Sequence, residues 1–181
     1  MLKEKDIKKV IERKRLNLSL SEYFLHYSAG IGISIIPIIN GYFLTLYFFN
    51  GEKEKLERVI EGIELPLLLL VISIGIFIKK YKNLGFKEYN IEIDNEKFNR
   101  VIKLTSKELN WNKITQNENC YQGLSESSLI GFGEKVTIVK NKNFILMNSI
   151  ENPNNWWSNF SFGRNRKNKD AFEKNLKASI Q

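Results

Sequence analysis

The stretch GIGISIIPIINGYFLTLYFF, residues 30–49, decides the fold, and it contains no Asp, Glu, Lys or Arg. The charge-free run around it extends over residues 23–51. At about 1.5 Å per residue, a helix of roughly 20 such residues crosses a hydrocarbon core about 30 Å thick. The mean hydropathy of the whole chain is only −0.30, so the apolar residues are concentrated here and not spread evenly.

A second charge-free run, LPLLLLVISIGIFI at residues 65–78, is too short to span unaided. Extended back to Val59 it reaches about 20 residues and takes in Glu61 and Glu64, which are read as solvated helix-end residues and alternatively as an intramembrane carboxylate pair. Lys79, Lys80, Tyr81 and Lys82 close the other end as an interfacial clamp of snorkelling cations around an aromatic ring. The expected arrangement is a transmembrane hairpin over residues 22–82, with helices at 23–49 and 59–79 and a loop at 50–58. Lys3, Lys5, Lys8, Lys9, Arg13, Lys14 and Arg15 precede the first run, whereas the loop holds only Lys53, Lys55 and Arg58 among acids. By the positive-inside rule both termini face the cytoplasm of a multi-pass inner-membrane protein. A signal peptide is disfavoured, because the apolar run begins too far in and no small-residue cleavage site follows.

Residues 1–21 form a basic amphipathic segment, with Ile7, Val10, Ile11 and Leu18 along one side. Such a helix either lies on an anionic membrane surface or packs on the protein's own domain. Ser19 and Glu22 have capping-box spacing, which predicts a helix start at that point. Inside the first span, Pro37 and Asn40 predict a kink, and Gly30, Gly32, Ser34 and Gly41 are small, as are Ser73 and Gly75 of the second span, which allows close helix approach. This pattern serves packing within one hairpin or, in the sharper reading, assembly into a homo-oligomer or pore. His26, at the foot of the first span, is read as a solvated interfacial side chain.

From residue 88 to 181 the texture changes to short β-favouring runs broken by Asn, Gly and Ser. Strands are expected at 89–94, 98–104, 108–114, 120–124, 134–140, 144–150 and 156–162, with Asp94, Asn95 and Glu96 as the turn of a first hairpin. Further turns fall at 131–133, 141–143 and 152–155. About seven antiparallel strands form a β-barrel, and a C-terminal helix with Asn168 as N-cap closes it with Phe172, Leu176 and Ile180.

No catalytic constellation is visible, so the chain reads as a non-enzyme without cofactor or metal: Cys120 and His26 are the single residues of their types. The most distinctive cluster is Arg164, Arg166, Lys167 and Lys169 at the start of the last helix. Cations beside free helix amides favour a phosphate or carboxylate, so these four are the candidate anion-binding residues. Trp156 and Trp157 are candidates for stacking on a ligand, and Trp111 is assigned to the core. From Lys79 onward there are 18 basic and 11 acidic residues, which favours anionic partners, and no DNA-reading element is present.

With Leu109-Asn110-Trp111-Asn112-Lys113-Ile114 in place of a tryptophan-then-isoleucine strand and an amphipathic closing helix, residues 89–180 resemble bacterial pleckstrin-homology-like domains, including the YcxB-like kind. The phosphoinositide pattern of that family is not reproduced by Lys97, Arg100 and Lys103. By layout, two spans before a minimal β-barrel, the whole chain resembles membrane effectors of cyclic-oligonucleotide antiphage signalling systems. That resemblance implies a barrel that binds a cyclic nucleotide and helices that assemble to disrupt the inner membrane in antiviral defence. The alternative is a membrane-anchored scaffold that binds lipid headgroups or a protein partner.

Overall fold

The computed structural model describes residues 4–125, 133–154, 161 and 163–180. The chain divides into two compact units, one made of Met1–His26 with Lys82–Gln181 and the other of Tyr27–Tyr81.

The first unit is built on an open antiparallel sheet. Among the described residues it has five strands, β1 (Lys87–Tyr89), β2 (Asn112–Asn117), β3 (Cys120–Leu124), β4 (Glu134–Lys140) and β5 (Ile145–Glu151), in the order β1-β5-β4-β3-β2. The expected closed barrel is therefore not formed, since β1 and β2 are both edges. The strands expected at 120–124 and 134–140 lie where they were placed, and β5 is displaced by one residue. The run expected at 156–162 lies almost wholly outside the described residues.

The first predicted hairpin is replaced by a helix. Residues Asn95–Glu108 form α5, and the Asp94 carboxylate caps it by accepting from the Lys97 amide at 2.7 Å. Phe98, Val101, Ile102 and Thr105 are its buried residues, a spacing of three and four that belongs to a helix and not to a strand. The Asp-Asn-Glu signal, read as a turn, is a helix N-cap followed by a first-turn carboxylate. Lys97, Arg100 and Lys103 accordingly sit on a helix and not on a β-hairpin.

Strand alternation sends apolar side chains to both faces of the sheet. Ile138 and Met147 are register partners and pack with Tyr121, Phe98, Phe172 and Leu176, so this face is covered by α5 and by α6 (Arg164–Ala178). Ile180, expected on the same stripe, is exposed, and the N-cap of α6 is Gly163 in the left-handed region, not Asn168. On the opposite face Val139 pairs with both Leu146 and Cys120, and these three are covered by Ile7 and Val10 of α1 (Glu4–Arg13). The amphipathic N-terminal helix thus uses its apolar side on the protein's own sheet.

After α1 the chain becomes extended. The Leu16 amide donates to the Leu84 carbonyl and the Phe86 amide to the Lys14 carbonyl, while Leu16, Leu18 and Leu84 pack on Ile150. Asn148 secures the same place by donating to the carbonyls of Asn83 and Gly85, at 2.8 Å each. Ser19 and Glu22 then form the predicted capping box, with Ser19 N to Glu22 Oε2 at 2.9 Å and Glu22 N to Ser19 Oγ at 3.3 Å. They start α2 (Leu20–Asn50), which is continuous through Pro37. His26 is buried, contrary to the solvated reading.

In the second unit α2 has an apolar window of mean hydropathy 1.7, none of it buried by protein, and it is the one helix among the described residues that is by itself long and apolar enough to cross a membrane. The expected loop at 50–58 is largely a helix, α3 (Lys53–Glu61). It is followed after Gly62 and Ile63 by α4 (Glu64–Asn83), with a 56° bend between the two. Lys80 of the predicted clamp is buried.

Two tests follow. Burial pushes the Cys120 thiol up to about 11, and α1 covers it, so native chain in detergent should react slowly with iodoacetamide near neutral pH. Val10→Asp, which puts a charge under α1, should speed that reaction, and a native rate equal to that of unfolded chain would show α1 undocked. Phe98→Ala should cost about 3–5 kcal/mol in denaturant unfolding. Arg100→Ala should stay within about 0.5 kcal/mol, whereas a strand would put both side chains on one face.

Candidate anion site at the root of the last helix

Glu134 begins β4 and Glu151 ends β5, and the antiparallel register sets them directly opposite each other. Both lie on the α6 face, and both are buried. Directly paired side chains on one face sit within about 5.5 Å at Cβ, so two carboxylates share one small dry volume.

The sequence supplies that volume with polar groups from α6. Asn168, one helical turn after Arg164, accepts from Trp111 Nε1 at 3.1 Å and donates to Ser149 Oγ at 2.9 Å. Ser149 Oγ donates in turn to Asn165 Oδ1 at 3.1 Å, and the Asn165 amide donates to Ser161 Oγ at 3.2 Å. Glu134 Oε2 accepts from Ser125 Oγ at 2.9 Å, and Arg164 Nε lies 3.1 Å from Glu134 Oε1. That last contact is an ion pair without hydrogen-bond alignment, because the Arg164 Nε hydrogen is directed to the Ser161 carbonyl at 3.3 Å. Burial pushes the Glu134 carboxyl up, and Glu151 adds to this against the opposing pull of Ser125 and Arg164.

The four predicted cations divide around the helix. Arg164 faces inward on Glu134, with 21 % of its side chain exposed. Lys169 is half-buried: burial lowers its ammonium, Lys87 lowers it further, and Glu151 opposes both. Arg166 is 88 % exposed beside Asp170 at 3.5 Å, and Lys167 is exposed with no ion pair among the described residues. Arg166 and Lys167 line a shallow groove of about 450 Å³ together with Lys174, Glu108 and Asp170. Helix geometry puts Arg164 next to Lys167, and Arg166 next to Lys169. Trp156 and Trp157 lie outside the described residues.

Sequence reasoning missed Glu134 and Glu151. Glu134 opens the strand predicted at 134–140 and Glu151 directly follows the one predicted at 144–150, but a strand pattern does not reveal register, and only register makes them neighbours.

At the other end of the sheet a cleft of about 1040 Å³ opens between α1 and the turns that follow β2 and β4. Ile7, Ile11 and Ile93 form its apolar lining, with Asn117, Asn141 and Lys142 among its polar residues. None of the predicted site residues reaches it.

Of the residues expected to pack in the membrane, Ser73 is buried and donates to the Gly30 carbonyl at 3.0 Å. A side chain at Gly30 would meet the Phe77 ring at 3.1 Å, and Tyr27 stacks on that ring. Gly32, Gly41 and Gly75 have nothing within 4 Å of the place a Cβ would occupy, so they make no close contact within one chain. Pro37 and Asn40 are partly exposed.

Comparison with protein-family models, with curated proteins and with solved structures finds no match for this chain.

Asn168→Leu should leave Trp111 Nε1 and Ser149 without their shared partner and cost about 1–3 kcal/mol in denaturant unfolding. Arg166→Ala, on the exposed side of the same helix, should change stability by less than about 0.5 kcal/mol.

Proposed function

We propose that this chain is a non-enzymatic membrane effector whose folded unit binds an anionic small molecule and whose helices assemble in the inner membrane. The observation that carries the membrane part is connectivity: the apolar segment 27–81 leaves one compact unit and returns to it. If α2 crosses the bilayer, the chain must come back, and the bent pair α3 and α4 is the segment available to bring it. The result is a two-span hairpin with both termini on one side, which the basic residues before α2 and after Ile78 assign to the cytoplasm.

Assembly is supported by the open glycines. In lipid no hydrophobic driving force brings helices together, so association rests on close backbone approach, and Gly32, Gly41 and Gly75 are left uncovered by the chain's own helices. Several such hairpins meeting through these faces make a homo-oligomer able to breach the bilayer. The ligand reading rests on Arg164, Arg166, Lys167 and Lys169, whose charges suit a cyclic nucleotide or a lipid headgroup. Ligand drives assembly only by binding the associated state more tightly, and a shift from 1:99 to 99:1 requires about 5.5 kcal/mol of such preference. Antiviral defence is the setting that matches this behaviour.

The second reading is a scaffold anchored by the same hairpin, and the cleft between α1 and the sheet-end turns favours it by offering a partner a place remote from α6.

Induced expression separates the two. Under the effector reading, wild-type chain depolarises cells and forms cross-linked oligomers in membranes. Gly32→Leu with Gly75→Leu, which has room in the monomer, should abolish both at equal membrane abundance. Oligomers and depolarisation unchanged in that variant would sink the effector reading, and harmless monomeric expression of wild type would support the scaffold.

A further inference from the structure

The N-terminal helix α1 has two suitable partners, the sheet and an anionic membrane surface, and its seat on the sheet is small. We propose that α1 is a lipid-responsive strap: at a bilayer surface rich in anionic lipid it leaves the sheet, swings about Lys14 and lies among the headgroups, uncovering the sheet face beneath it. This inference rests on the membrane reading above, through α2, and assigns its regulation.

Four observations carry it. On the sheet Val10 is wholly buried and Ile7 nearly so, but Ile11 is only half-buried, and the residues they cover are Cys120, Val139 and Leu146. One flank of that seat is open, since Ile7, Lys8 and Ile11 border the cleft of about 1040 Å³. Among the described residues, backbone bonding of this segment to the rest of the unit starts at the Lys14 carbonyl, and Lys14 has a φ of +48°, a left-handed conformation that is strained for a residue with a side chain and marks a hinge. Leu16 with its bond to Leu84, and Leu18, lie beyond that hinge and stay in place when α1 moves. The fourth observation is charge. At helical spacing Lys8 and Arg13 fall on the two sides of the stripe of Ile7, Val10 and Ile11, Glu12 lies away from it, and Lys8, Lys9 and Arg13 have no ion pair among the described residues. Cations flanking an apolar stripe can snorkel to phosphates, which is the geometry of a helix lying in the plane of a membrane surface.

For α1 itself the apolar side of the exchange is close to even, because Ile7, Val10 and Ile11 trade one dry surface for another. The sheet loses the cover over Cys120, Val139 and Leu146, which holds α1 in place when nothing opposes it. Charge decides the outcome, since each Lys or Arg at an anionic leaflet is worth about fivefold in the equilibrium. Lys8, Lys9 and Arg13 together supply more than about a hundredfold, and a neutral bilayer supplies none of it. α2 begins at Leu20, so Lys14–Ser19 alone separate α1 from a helix held in the bilayer, and contact with the surface is an intramolecular step.

The test places the full-length chain in vesicles of phosphatidylcholine, alone or mixed with phosphatidylglycerol, and follows alkylation of Cys120, which is buried under α1. Iodoacetamide is uncharged, so an anionic surface does not concentrate it. In neutral vesicles Cys120 should react slowly, and in acidic ones at least about tenfold faster. Lys8→Glu with Arg13→Glu should restore the slow rate in acidic vesicles, as should about 1 M salt, where the Debye length falls to about 3 Å. In a Cys120→Ser background, a bimane on Ile11→Cys should be quenched by shallow spin-labelled lipid in acidic vesicles and not in neutral ones. Equal protection of Cys120 in both vesicles would overturn the exchange and leave the membrane reading standing. Faster alkylation that survives both charge reversal and salt would overturn it too, because the lipid would then be loosening the sheet itself. Release of the chain from both vesicles by alkaline carbonate would remove the membrane reading and this inference with it. If the double charge reversal does not fold, the salt series and the bimane decide.

Discussion

The first unit depends on a sheet with two apolar faces, each of which has to be covered. Residues Ile145 to Ile150 of β5 are buried without interruption, alternating between the α5–α6 side and the α1 side. Each such aliphatic side chain contributes about 1.5–3 kcal/mol when removed from water. That driving force holds the N-terminal helix on the sheet, although its lysines would also have suited an anionic membrane surface. It also ties Lys14–Leu18 against Leu84 and Phe86, which places the start of α2 and the end of α4 in the same folded body.

Against this apolar frame the root of α6 is an exception. Two carboxylates, two serines, two asparagines and a guanidinium meet where leucines would be simpler. Removing an ionic group from water costs several kcal/mol, and replacing such clusters by packed apolar residues is often neutral or stabilising. The cluster does fix the azimuth of α6, because Asn168 bridges Trp111 to Ser149 and only one rotation of the helix satisfies both. The same rotation turns Arg164 inward and leaves Arg166 and Lys167 in solvent, so the structural constraint and the distribution of exposed charge have one cause.

The second unit presents a different surface. Leu67, Leu68, Val71 and Ile74 of α4 are exposed, as are Ile35, Ile38 and Phe48 of α2, and water would oppose such a surface. Helices satisfy their own backbone groups, which is the condition for leaving water at all. Thr45 and Ser34 donate to carbonyls of their own helix, which removes two polar hydroxyls from the account.

By itself the sequence determined what depends on local composition and spacing: the apolar run of α2, the capping box at Ser19 and Glu22, the central strands, and the burial of Trp111, Phe172 and Leu176. It misled where one short pattern serves two structures. Asp94-Asn95-Glu96 before Phe98 reads as a turn or as a cap, and only packing on the sheet selects the helix. The amphipathic N-terminus likewise fits lipid and sheet equally, and the apolar face of β3, β4 and β5 decides it. Tertiary structure alone brought Glu134 to Glu151 and Arg164 to Glu134, because strand register and helix azimuth are properties of the assembled core, and no window of neighbouring residues contains them.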